Sequence, residues 1–140
     1  MSVPREKRQA VEKVVKYTDL FSGATGSLYR RTEQKDENGN SFLVPEYDSR
    51  LLDFIEAVYG CGLLEPDYIA IMNQNSNVGD DLEDIVSRLG GAGFDLRRAV
   101  LTCLVRQERF QSGLWAMACD GNLFLAVLTR LKELLEESQN

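Results

Sequence analysis

At 140 residues and 15.8 kDa the chain has the length of one ordinary domain, and its 44% apolar and 27% charged residues are a globular rather than a disordered composition. It contains no histidine, which excludes Ser-His-Asp and Cys-His catalysis, histidine metal ligands and a histidine pH switch. The net charge of −6 is unevenly spread: residues 1–35 hold eight of the 16 basic and four of the 22 acidic side chains, so the acidity lies beyond them. An acidic body repels polyphosphate and disfavours sequence-independent nucleic-acid binding.

The opening reads as a helix. Ser2 is placed to cap it, Pro4 is tolerated in a first turn, and Val11, Val14, Val15, Thr18 and Leu20 recur at helical spacing as far as about Phe21. Its polar side carries Arg5, Arg8, Lys13 and Lys16, a candidate basic face. Residues 26–46 read as a β-hairpin inserted between the first and second helices. Two extended-looking segments flank Asp36-Glu37-Asn38-Gly39-Asn40, and an Asn-Gly step favours a turn with positive φ at both central residues. The same stretch starts like a calcium loop, but Ser41 stands where glycine is needed and Tyr47 where a glutamate is needed. It is a turn.

From Asp48 the pattern is helical again, with Leu51, Leu52, Phe54, Ile55, Val58 and Tyr59 on one stripe and Gly60-Cys61-Gly62 as a stop. Residues 66–72 read as a short helix and 73–79 as a polar loop. Asp80 is the expected cap of the next helix, with Glu83 closing a capping box. The acids around it complement a helix N-terminus and do not mark a metal site. Gly90-Gly91-Ala92-Gly93 follows a helix and precedes no Gly-Lys step, so it is a connector rather than a phosphate loop. A stripe of Leu96, Ala99, Val100, Cys103 and Leu104 continues through Phe110, Leu114 and Met117 across a break at 111–113. Asp120-Gly121-Asn122 is a turn. The last helix, from Leu123 to about Glu137, has an apolar face wide enough for two neighbours, which leaves room for a homodimer. The expected fold is mainly α: residues 1–140 form a single compact multi-helix domain with one small hairpin near its N-terminal side.

Cys61, Cys103 and Cys119 are widely spaced and odd in number, which fits free thiols. No apolar run approaches the roughly 20 residues of a membrane span, and residues 1–10 are too polar for a signal peptide. The expected setting is the cytoplasm, without a membrane, and no cofactor or metal is implied. The one constellation above background is Arg97, Arg98, Arg106 and Arg109, with Trp115 beyond it. Arg106 and Arg109, three apart, share a helix face and could grip a carboxylate or phosphate. The competing reading is structural, in which one or both pair with acids such as Glu108 and tie the last three helices together. Trp115 lies one residue off the apolar stripe and is expected to be half exposed.

Arg106-Gln107-Glu108-Arg109-Phe110-x-x-Gly113, Ala116-Met117, Gly121 and Leu128-x-Arg130-Leu131-Lys132-Glu133-Leu134 resemble the C-terminal signature of a small bacterial family catalogued only as a domain of unknown function. Pro45-Glu46-Tyr47 and the helix from Asp53 to Ala57 extend the resemblance over about residues 38–135. Residues 64–69 depart from it, with Glu65-Pro66-Asp67-Tyr68 where the family tends toward an aromatic Asp-Trp segment. The resemblance implies a bacterial or phage origin and a shared fold, and it carries no activity. The leading expectation is a non-catalytic protein-interaction module, carried by a phage or mobile element and binding and inhibiting a host defence protein. The alternative is an accessory binder of nucleic acid or a phosphate ligand through the arginines at 97–109. A small carboxylate-based enzyme is the weaker third, since no paired acids stand at an interpretable spacing.

Overall fold

A computed structural model describes residues 2–23 and 26–138. Among these, seven α-helices surround an apolar core, and a two-stranded antiparallel hairpin stands apart from it. The helices are α1 (Arg8–Val15), α2 (Ser49–Gly60), α3 (Tyr68–Gln74), α4 (Leu82–Ser87), α5 (Phe94–Arg106), α6 (Leu114–Asp120) and α7 (Leu123–Ser138). The strands are β1 (Tyr29–Lys35) and β2 (Ser41–Tyr47). The mainly α expectation holds.

Periodicity explains the core. On α2, Leu51, Phe54, Ile55 and Val58 follow the i, i+3, i+4, i+7 spacing and are all buried. On α7, Phe124, Val127, Leu128, Leu131 and Leu134 are completely buried, where the helix packs on α1, α4, α5 and α6. Each such side chain contributes about 1.5–3 kcal/mol through removal from water. At the centre the Phe54 ring meets Phe21 and Phe124 at centroid distances of 5.0 and 5.5 Å, both edge-on.

Local chemistry moves several boundaries. The opening helix is not continuous to Phe21: a 3-10 turn at Arg5–Lys7 leads into α1, which ends at Val15, and a second turn covers Thr18–Phe21. The Thr18 hydroxyl donates to the Val15 carbonyl and competes with the helical bond there. The cap of α4 is Asp81, not Asp80, and Asp84 rather than Glu83 closes the box. Asp80 is otherwise engaged, accepting from Arg88 and from the Asn77 amide, each at 2.6 Å.

The hairpin turn also differs from the expected one. Only Gly39 has positive φ (81°), while Asn38 does not. Glu37, Asn38 and Gly39 form a three-residue loop, with the Asp36 carboxylate accepting from the Asn38 and Asn40 amides at 2.9 Å. Two tyrosines root the hairpin in the helical body. Tyr29 donates its hydroxyl proton to Asp120 at 2.6 Å, and Tyr47 donates to Glu108.

Candidate binding face at the end of α5

The arginine constellation does not form one surface. Arg97 lies in the first turns of α5 and is only 2% exposed. Its guanidinium donates to the carbonyls of Ala92 (3.0 Å), Gly90 (3.3 Å) and Arg130. All three acceptors are backbone carbonyls, so one side chain fastens the 90–93 connector to α7. Burial draws its pKa down, and the Glu133 carboxylate at 4.0 Å opposes that shift. Arg98, one position on, turns to the other side. It donates to the Leu63 and Leu64 carbonyls at 2.6 and 2.9 Å and pairs with Glu65 at 3.0 Å. Both arginines are therefore spent on the fold, and a four-arginine phosphate clamp is not assembled.

Trp115 is also turned inward. Its indole N–H donates to the Leu104 carbonyl at 2.9 Å, and its ring meets Tyr47 edge-on at 5.1 Å. The half exposure expected of it does not free its polar edge for a partner.

Glu108 was expected to pair with Arg106 or Arg109, and it pairs with neither. It accepts from the Tyr47 hydroxyl, from the Gly113 amide at 2.6 Å and from the Trp115 amide at 2.9 Å. The two amides open α6, where orphan donors favour a carboxylate. Gly113 makes this approach with φ of 93°, a left-handed conformation that a side chain would strain. Burial, and next the Glu108 carboxylate, raise the Tyr47 pKa well above the usual phenol value, so the hydroxyl stays protonated and donating.

Arg106 and Arg109 are left without a carboxylate partner among the described residues. The Arg106 guanidinium lies over the Tyr68 ring at 6.0 Å, and Arg109 lies over Phe110 at 4.7 Å. Phe110, placed by its spacing in a buried stripe, is 70% exposed. The stripe is interrupted because α5 ends at Arg106 and a 3-10 turn at Gln107–Arg109 redirects the chain. Tyr59, expected on the buried side of α2, is 48% exposed, and its hydroxyl donates to the Val105 carbonyl at 3.4 Å. The end of α5 thus gathers two arginines and two exposed aromatic rings. Gln107 and Gln111 line the edge of an adjoining apolar groove of about 390 Å³, whose walls include Met72, Leu114 and Met117.

The other candidate face remains at the surface only in part. Arg5, Lys13 and Lys16 are exposed, with Lys16 over the Tyr17 ring at 5.5 Å, while Arg8 is half-buried. No cluster of three or more metal-ligating side chains occurs among the described residues, and none of their helices alone is long and apolar enough to cross a membrane. The three cysteines are free and half-buried.

The model of a family of unknown function, DUF6508, matches residues 6–137. The chain belongs to the DUF6508 family. The match takes in the whole helical body, the hairpin and the end of α5, so this face is part of the family's domain rather than an appendage. Comparison with curated proteins and with solved structures gave no match.

Proposed function

We propose that this chain is a non-catalytic protein-interaction module whose binding face is the end of α5. The observation that carries the reading is the state of Arg106 and Arg109. In a chain of net charge −6 they have no carboxylate partner among the described residues, and exposed Phe110 and Tyr59 stand beside them. Arginine and aromatic side chains dominate the energetics of protein interfaces. Guanidinium pairs recognise carboxylates by bidentate hydrogen bonds, and the neighbouring groove accepts apolar side chains. The partner surface that fits is an acidic segment with apolar anchors. In its narrowest form the proposal makes that partner a host defence protein inhibited by a phage or mobile-element product, for which the support is the chain's size and acidity.

A photoreactive amino acid in place of Phe110, followed by mass spectrometry of cross-links formed in a bacterial lysate, tests the reading. One protein captured through an acidic segment, and lost with Arg109→Glu, is the expected result. Capture of nucleic acid in its place, abolished by the same substitution, overturns it in favour of phosphate binding.

A further inference from the structure

The hairpin has two open edges, and they are not alike. Its register pairs Thr32 with Val44 and Arg31 with Pro45, and the flanking Asp36–Asn40 and Leu28–Asp48 pairs are joined by backbone bonds of 3.0 and 2.8 Å. Antiparallel ladders alternate bonded and non-bonded pairs. The even-numbered residues of β1 therefore bond inward to β2, and Arg31, Glu33 and Lys35 direct their N–H and C=O groups outward. On β2 the outward positions include Pro45, which has no N–H to offer, so that edge is blunted. On β1 the outward groups of Tyr29 are met by the Ser27 hydroxyl, and among the described residues no third strand takes those of Arg31, Glu33 and Lys35.

We propose that the β1 edges of two copies of this chain pair antiparallel about a two-fold axis through Thr32, forming a four-stranded sheet β2-β1-β1-β2. Charge selects the copy and the register. With Thr32 facing Thr32 of the second copy, Arg31 lies opposite Glu33 twice, Arg30 opposite Gln34 and Tyr29 opposite Lys35, and no like charges meet. Sliding the second strand by two residues in one direction sets Glu33 against Glu33 and Arg31 against Lys35. Sliding it the other way sets Arg31 against Arg31. Opposite-charge and Thr–Thr pairs stabilise facing strands, and like charges directly opposite destabilise them. The central row becomes Val44-Thr32-Thr32-Val44, a run of β-branched side chains suited to a sheet. A lone two-stranded hairpin is marginal in water, and this one exposes Phe42 and Leu43 by 45% and 65%. A four-stranded sheet supports it.

Sedimentation equilibrium over a concentration series measures the association. The full chain forms a dimer; Arg31→Glu or Glu33→Arg alone raises its dissociation constant by about tenfold or more, and the double exchange restores it. Register is read by cross-linking. Facing residues of a non-bonded pair lie within disulfide range, so Thr32→Cys gives a covalent dimer under mild oxidation and Gln34→Cys does not. A wild-type chain that stays monomeric, a dimer indifferent to both single charge changes, or cross-linking through Gln34→Cys in preference to Thr32→Cys overturns the proposal.

Discussion

Glu108 shows how one side chain can decide a junction. It joins the hairpin root to the first amides of α6 through three accepted hydrogen bonds. Bonds to a charged acceptor contribute about 1.5–3 kcal/mol, and the deserted partners add a desolvation cost. Glu108→Ala should therefore lower stability by about 3 kcal/mol, or about 10 °C in the thermal midpoint of a domain this size. A melting curve within about 2 °C of wild type would contradict the assignment. Arg109→Ala, on an exposed side chain, should shift stability by no more than about 0.5 kcal/mol in the same assay. The thiols give a third measurement. Burial pushes Cys103 up to about 11 and Cys119 up to about 12, the latter with help from the Asp120 charge. At pH 8 both should react far more slowly with a thiol reagent in the native chain than after unfolding, because the thiolate is the nucleophile. Equal rates in the two states would mean that their helices do not shield them.

At the scale of elements, the helix interiors were legible in the sequence and the junctions were not. The buried stripe of α2 and the wide face of α7 follow from apolar spacing alone, because side-chain period is a local property of a helix. The choice of Asp81 over Asp80 as the cap of α4 depends on Arg88, which takes Asp80 from a later turn. Spacing cannot report that competition. The fates of the arginines are similar: Arg97 and Arg98 are adjacent in sequence and point to opposite neighbours, and apart from Glu65 beside Arg98 their hydrogen-bond acceptors are backbone carbonyls with no sequence signature. Spacing misplaces Phe110 because it carries the α5 periodicity through the 3-10 turn at Gln107–Arg109, where the helix has already ended. The cap of α2 yields a pH prediction. Asp48 accepts from the Arg50 side chain and its amide, which holds its pKa at about 2 against an ordinary 3.8. A carboxylate depressed by folding stabilises the helix fully above its unfolded value and loses that contribution as pH falls through the folded one. The Arg50 amide resonance should titrate with a midpoint near 2 rather than 3.8. Asp48→Asn, which keeps an accepting oxygen, should remove that titration while preserving α2.

For the whole molecule, the core and the hairpin are separate investments of the sequence. The three-phenylalanine centre and the buried faces of α2, α5 and α7 lie within the helical body, whereas residues 30–46 are exposed or half-buried. Replacing residues 31–45 by a short Gly-Ser link should leave the helical circular dichroism intact and change stability by only about 1 kcal/mol. Phe124→Ala, at the centre, should cost about 3–5 kcal/mol. A hairpin deletion that unfolds the chain would show that the two parts fold as one. The single tryptophan adds a means of watching the junction between them. Trp115 touches Tyr47 at the hairpin root while its indole is tied to α5, so its fluorescence is set by whether the hairpin is seated. If the root opens before the helices melt, the emission will shift to the red at a lower urea concentration than the loss of helical signal, and the native chain will report its own first step of unfolding without any added label.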